Sequence, residues 1–419
     1  MTDVLALSSR IIDSGVADQP VNRITQELSE IAEGIALVES FSHVVAFRTG
    51  EGLVAFDSSG APTAAEVVRS LRAWSEEPVH TLVYTHGHVD HVGGSPAFVA
   101  DAEARGQRKP TFVGHVAVLD RFARYRATDG WNLAVNSRQF GWPMAPPFLG
   151  PDVAEPDLTY RDRQTLEVGG VEFQLVHGRG ETDDHTWTWI PSRRAICCGD
   201  FLIWNFPNAG NPQKVQRYPG DWARSLRQMA ELEPELLLPA HGLPIEGSAR
   251  IRRVLSDVAG ALEDLVERTV SMMNAGATLD EVVHSVRVPD QTLALPYLRP
   301  LYDEPEFVVR NIWRLYGGWW DANPARLKPP PDADLAAEVA SLAGGTGALT
   351  GRARELLGAG RMRLACQLVE WAVQADPSSR EAHEARAEIY ARRRKEETSL
   401  MAKGIFATAA GESARRAGS

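Results

Sequence analysis

The chain has 419 residues, of which 44% are hydrophobic and 24% charged, and a net charge of −11. That length allows two domains, and the composition is that of an ordinary globular protein, not a disordered or fibrous one. The acidic balance argues against nucleic-acid binding, which needs a concentrated basic surface. No run of about eighteen apolar residues occurs, so no membrane span is expected. Of three cysteines, Cys197 and Cys198 are adjacent on one strand and point to opposite faces, and Cys366 falls in a helix. All three read as reduced structural thiols of a cytoplasmic protein, binding no metal. The first ten residues lack a basic segment followed by an apolar core and do not read as a secretory signal.

Residues 1–33 are polar with a helical pattern, and read as a peripheral extension. Strand signals follow at Ala36-Leu-Val-Glu39, Val44 to Arg48 and Leu53 to Asp57, separated by Gly-containing turns. Asp57 ends a strand, where it either hydrogen-bonds a nearby functional group or caps a turn. A helix is expected from about Pro62 to Trp74, with Pro in its first turn. The apolar run Val79 to Tyr84 then leads into Thr85-His-Gly-His-Val-Asp-His-Val-Gly-Gly94. Strand alternation puts His86 and His88 on one side. Asp90 and His91 fall on the turn, facing a second point a few Å away. Imidazole and carboxylate oxygen suit a catalytic zinc that keeps an open position. The plain alternative, a solvated polar turn, does not account for three His and one Asp within six positions.

Farther on, the segment from Arg121 to Gly141 is rich in Arg, Asn and aromatic residues. Val171 to Val176 alternates like a strand and runs into His177-Gly-Arg-Gly-Glu181-Thr-Asp-Asp-His185. Ala195 to Asp200 is a buried strand ending in Asp, and Leu236 to His241 a strand ending in His. Taken singly, Asp200 is a turn or capping residue and His241 a structural histidine. His185 is expected to be structural, orienting a neighbour or capping the next strand. From about residue 249 the pattern is wholly helical to residue 410. It is interrupted by the Pro-rich link Lys328 to Asp332, and residues 411–419 are expected to form a disordered tail.

The His-x-His-x-Asp-His motif, followed in order by Glu181, Asp200 and His241 at strand ends, resembles the metallo-β-lactamase superfamily. The resemblance implies an α/β fold, an αββα sandwich over residues 34–248. It also implies two divalent cations, expected to be zinc. His86, His88 and Glu181 would hold one, and Asp90, His91 and His241 the other, with Asp200 between them. Asp90 is expected to serve catalysis as well as metal binding. Glu181 stands where most of the superfamily has His, which is similar to the alkylsulfatase branch. Asn311-Ile-Trp-Arg-Leu-Tyr-Gly-Gly-Trp-Trp-Asp321-Ala-Asn-Pro resembles a stretch of the alkylsulfatase dimerisation domain. Ala365 to Pro377 looks like one tetratricopeptide-type hairpin within residues 249–410. The cluster Trp313, Tyr316, Trp319 and Trp320 either packs under a loop or forms a subunit interface. The resemblance favours the interface, hence a homodimer.

The implied chemistry is hydrolysis, because paired cations lower the pKa of water held between them towards about 7 and accept charge on the attacked group. Asn136 and Arg138 in the Arg121 segment are expected to meet an anionic headgroup, since a guanidinium fork matches sulfate or phosphate oxygens. Two departures bear on substrate choice. The family's His-Asn-Leu-x-x-Leu-Arg-Gly segment is replaced by Phe201 to Arg217, where Asn205, Asn208 and Arg217 stand in. The bridging residue is Asp200 instead of Glu. A further expectation is that the sterol-carrier-like domain of long alkylsulfatases is absent. The leading expectation is a small anionic ester such as an alkyl sulfate. The alternatives are a carboxylic ester, lactone or phosphodiester hydrolase, and a catalytically silent metal-binding scaffold.

Overall fold

A computed structural model describes residues 3–418 and resolves into two compact units. The first comprises residues up to Asn132, Ala145–Ala277 and Glu281–Gly318. The second comprises Leu133–Met144, Thr278–Asp280 and the chain from Trp319 onward.

The first unit contains two sheets. Seven strands build one, in sequence order: β1 Leu28–Ala32, β2 Ile35–Val38, β3 Val44–Thr49, β4 Gly52–Phe56, β5 Val79–Val83, β6 Thr111–His115 and β7 Leu158–Tyr160. β1 to β4 pair antiparallel, and β4 to β7 pair parallel. The other sheet runs β13-β12-β11-β10-β9-β8. Its strands are β8 Arg163–Val168, β9 Val171–His177, β10 Thr186–Ile190, β11 Ala195–Gly199, β12 Leu236–Pro239 and β13 Ile245–Glu246. Only β11 and β12 pair parallel in it, among the described residues.

Period-two alternation sorts the apolar side chains between two cores. Val45, Phe47, Val54, Phe56 and Val83 meet Phe173, Leu175, Ile190, Cys197 and Leu238 in the space between the sheets. Their neighbours Val44, Ala46, Leu53, Ala55 and Leu82 face outward against Val67, Leu71, Phe98, Val118 and Phe122 of the covering helices. These strands are buried on both faces, which is why they read as continuous apolar runs. On the far side, the helix Ser248–Asn274 lies against β12 and β13 and packs along the helix Pro219–Glu231. The layering is the expected αββα sandwich.

The second unit is helical. Asp332–Ala343, Thr346–Gly358, Met362–Ala375, Arg380–Glu396 and Leu400–Gly418 pack as neighbouring antiparallel pairs. Met362–Ala375 and Arg380–Glu396 form the expected hairpin, with Ala365, Val369, Ala385 and Ile389 in its seam. Its first helix ends two residues before Pro377, whose ring disfavours helix at the residue before it.

Several boundaries differ from the sequence expectation. Within the supposed extension 1–33, Val4–Ser14 is a helix packed near β13, and Leu28–Ala32 is an edge strand of the first sheet. Met1 and Thr2 lie outside the described residues. The first unit does not stop at residue 248: Ser248–Asn274 and Pro305–Gly317 pack on each other within it, because their apolar stripes face that core. Residues 411–418 are helical where a disordered tail is expected. Buried Ser413 anchors them, as its hydroxyl meets His383 Nδ1 and accepts from Arg386. Ser419 lies outside the described residues.

Candidate metal centre

All seven expected ligands lie in the first unit, on loops that leave strand ends. His86 and His88 follow β5, Glu181 follows β9, Asp200 follows β11 and His241 follows β12. The parallel pairs β4/β5 and β11/β12 deliver their C-terminal ends to one edge of each sheet, where an α/β fold places its ligands. Asp90 and His91 sit on the single turn Val89–Val92.

The ligand atoms converge. His86 Nε2 is 2.9 Å from His88 Nδ1, and His88 Nδ1 is 3.6 Å from Glu181 Oε1. His241 Nε2 is 3.4 Å from Asp90 Oδ2, and His91 Nε2 is 3.6 Å from the same oxygen. Asp200 Oδ2 reaches both groups, at 3.8 Å from His86 Nε2 and 3.5 Å from His91 Nε2 and His241 Nε2. One carboxylate oxygen thus lies between two three-residue clusters. The cluster is closed on one side and open on the other. His86 and His91 are fully buried, whereas the side chains of His88, Asp90 and His241 keep 19%, 23% and 18% exposure.

The donor set fits divalent cations. His91 Nε2 and Asp200 Oδ1 are buried without a hydrogen-bond partner, although buried polar atoms are ordinarily satisfied. Burial, reinforced by His91 and His88, holds His86 well below the usual imidazole range; burial with Arg121 and Arg217 does the same to His88. Both keep the lone pair a metal needs. At His91 burial again lowers the pKa, but Asp200, Asp57 and Asp90 outweigh it and raise it well above normal. Three carboxylates gathered on one imidazole are a negative surplus that a bound cation would neutralise.

The supporting shell is as ordered as the ligands. Asp57, in a left-handed conformation that Asp tolerates, accepts a hydrogen bond from His91 Nδ1 at 2.8 Å and accepts from the Thr85 N–H and hydroxyl, each at 2.8 Å. The hydrogen-bonding reading of Asp57 therefore holds, and it leaves His91 Nε2 facing the cluster. His185 stacks on His86 at 4.6 Å between ring centroids, and its Nε2 accepts from the Asp200 N–H at 3.2 Å. That bond engages Nε2 and leaves Nδ1 buried without a partner, and His185 lies close enough to His86 and Asp200 to count geometrically among metal-binding candidates. Gly199 at φ +55° makes this approach feasible, since a Cβ there would sit 2.7 Å from His185 Cε1.

Sequence reading missed Asp184 and misjudged Arg121. Asp184, fully buried, accepts from the Gly87 N–H at 2.9 Å and from Arg121 Nε at 2.8 Å, and Arg121 also bonds Asp183. This pair pins the residue between the two ligand histidines, where a Cβ would lie 2.9 Å from Arg121 Cδ and 3.0 Å from Asp184 Oδ2. The only available clue was the charge of Asp184 beside Glu181, which any exposed turn would share.

The expected substrate residues divide. Arg217 is buried, and its Nη1 donates to the Glu181 carbonyl at 2.6 Å and pairs with Glu181 Oε1 at 2.7 Å. It secures a ligand and is not a free anion receptor, which corrects the sequence reading. Asn208 Nδ2 donates to the same Glu181 Oε1. Asn205 is half-buried and bonds its own loop at the Ile203 carbonyl. The Arg121–Gly141 segment is no loop. It forms the helices Ala117–Ala127 and Asp129–Phe140, and Asn136 and Arg138 belong to the second unit, where Asn136 is buried. Trp313 is buried within the first unit, whereas Tyr316, Trp319 and Trp320 are exposed.

Comparisons with known proteins bear on the fold and the family. Residues 37–241 match the metallo-β-lactamase superfamily, and residues 278–416 match the alkyl sulfatase dimerisation family. The chain is 26% identical over 363 residues to a linear primary-alkylsulfatase of Pseudomonas sp., covering 82% of this chain and 68% of that protein. It is 24% identical over 331 residues to an alkyl/aryl-sulfatase of Saccharomyces cerevisiae, covering 74% and 51% respectively. The solved structure of a stereoselective inverting sec-alkylsulfatase from Pseudomonas sp. superposes with a TM-score of 0.82 at 22% identity, over 93% of this chain and 65% of that one. This chain therefore spans only between 51 and 68% of the length of these proteins.

Proposed function

For a chain that joins a metallo-β-lactamase superfamily domain to an alkyl sulfatase dimerisation domain, we propose a dinuclear, metal-dependent hydrolase acting on an anionic ester, an alkyl sulfate first among them. The observation that carries this is Asp200 Oδ2, set within 3.8 Å of ligand nitrogens from both clusters. Two divalent cations held there, with zinc the expected metal, would acidify a water between them and take up charge on the ester oxygens.

The chain's own groups do the rest. Asp57 and the pair Asp184 with Arg121 fix the imidazoles, so the site is organised before substrate arrives. Asp90, the most exposed carboxylate of the centre, faces the open side with His88 and His241 and is the residue we assign to catalysis. Lys214 supports an anionic substrate. It is half-buried within the electrostatic reach of Glu181, Asp90 and Arg217, and burial, assisted by Arg217, pushes its pKa down to about 7. With Arg217 committed to Glu181, Lys214 is the side chain we expect to meet the anionic group, whose charge would favour the protonated ammonium that burial disfavours. Phe41, partly exposed and edge-on to His241 at 5.7 Å, offers an apolar wall.

Exposed Trp319 and Trp320 support a homodimer formed through the helical unit. Among the described residues no helix is long and apolar enough to cross a membrane. All three cysteines are free, and two are fully buried, which supports a cytoplasmic location. Parallel assays on an alkyl sulfate, an aryl sulfate, a phosphodiester and a lactone test the substrate reading. Sulfate release is expected to dominate, and brisk lactone opening without sulfate release would reject it.

A further inference from the structure

We propose that Asn311, outside the metallo-β-lactamase segment and midway along the helix Pro305–Gly317, is a positioning residue for the His86–His88–Glu181 cation site, acting on Glu181 through Arg217. The inference rests on the metal-centre reading above. Asn311 Nδ2 donates to the Arg217 carbonyl at 3.0 Å, and its Oδ1 accepts from the Arg217 N–H at 3.3 Å. One side chain therefore grips both backbone groups of residue 217, as a neighbouring strand would. Gln216 Nε2 strengthens the grip by donating to Asn311 Oδ1 at 2.9 Å and to its carbonyl at 3.2 Å.

This matters because residues 200–218 contain neither helix nor strand to set the height of Arg217. A second tether ties the same loop to the same region. Asp303, fully buried, accepts from the Gly210 N–H at 2.6 Å and from the Glu304 N–H at 2.7 Å. Gly210 passes so close to Phe307 and Val308 that an added Cβ would strike their backbone. Two points on residues 303–311 thus hold the loop that presents Asn208 and Arg217 to Glu181.

The coupling has a direction. The Arg217 guanidinium is buried, and its Nε lacks a hydrogen-bond partner, so the ion pair with Glu181 is its main compensation for lost water. If the backbone of residue 217 drifts, the guanidinium follows, and Glu181 loses the Arg217 donor that helps aim its carboxylate. Groups supporting a ligand typically change metal affinity by about 10- to 100-fold. Asn311 acts one bond farther out, so about tenfold is expected. The other cluster has separate support in Asp57, Thr85 and Ser42 and should not respond.

The test uses the full chain, stripped of metal and titrated with Co2+ against a chromophoric chelator, with the visible spectrum followed throughout. Asn311→Ala should weaken one of two binding events by about tenfold and leave the other unchanged. Asn311→Asp, which keeps the acceptor but not the donor, should fall between. Glu181→Gln must weaken the same event, and Asp57→Asn the opposite one. The proposal is overturned if Asn311→Ala binds both ions normally while Glu181→Gln loses one. It is also overturned if both events weaken alike, which would mark a general structural role. Two normal events in Glu181→Gln would remove the metal centre itself and the inference with it.

Discussion

The two ligand clusters meet at Asp200, yet their surroundings differ in charge. Around His86, His88 and Glu181 stand two buried guanidiniums, Arg217 and Arg121, the latter balanced by Asp184 and Asp183. Around Asp90, His91 and His241 stand Asp57 and hydroxyls from Ser42 and Thr85. Local charge governs cation affinity as directly as ligand geometry does, so the second cluster should load first and release last. The supports also differ in origin. Asp57 follows β4 and His91 lies on the turn Val89–Val92 beyond the neighbouring strand β5, while Glu181 is proposed to depend on residues as far away as Asn311.

The largest effect should come from the residue the clusters share. Asp200→Asn is expected to weaken both ions and lower kcat/KM by about 1000-fold, an order typical of lost electrostatic stabilisation. Loss of only one ion, read by elemental analysis, would show that Asp200 serves a single cluster.

Next comes the ion pair behind the first cluster. Asp184→Asn leaves buried Arg121 with Asp183 as its remaining carboxylate partner, at a cost below the roughly 3–5 kcal/mol of a fully stranded charge, measured by denaturant unfolding. Burial raises the Asp184 carboxyl, but Arg121 outweighs it and brings the pKa from 3.8 to about 2. A depressed carboxylate contributes stability above its unfolded pKa and loses it as pH falls through its folded one. Wild-type stability should therefore decline by about 2 kcal/mol from this group between pH 4 and 2. In Asp184→Asn that portion of the decline should vanish; an unchanged acid limb would remove Asp184 from the account.

A smaller, one-sided effect is expected from Asp57→Asn, which should weaken only the second cluster by about 10- to 100-fold in a competition titration. Equal weakening at both would erase the contrast in support. Smallest is Trp319→Ala with Trp320→Ala, expected to loosen the proposed dimer by about 1–2 kcal/mol in sedimentation equilibrium, with metal content unchanged.

Much of this was legible before the structure. The candidate ligands His86, Asp200 and His241 stood out because each closely follows a strand, and strand ends show in a sequence as an apolar run stopped by a polar residue: Tyr84 and Thr85 before His86, Gly199 before Asp200, Ala240 before His241. The αββα layering was legible for the same reason. The supporting shell was not, because Arg121, Asp184 and Asn311 occupy helices and turns where polar residues are commonplace. Their burial is a product of contacts 63 to 97 residues apart in the chain. Arg217 misled in an instructive way: a lone arginine near a proposed anion site reads as a receptor until its partner Glu181 is seen. Helical residues beyond 248 were read correctly as helix but assigned to the wrong unit, since an apolar stripe does not say which core it faces.

The most direct measurement is the metal content per chain of protein prepared without chelators and then reconstituted. Two equivalents in the wild type, falling to one in Glu181→Gln, are predicted. Less than one equivalent in the wild type, unchanged by reconstitution, would contradict a paired-cation centre.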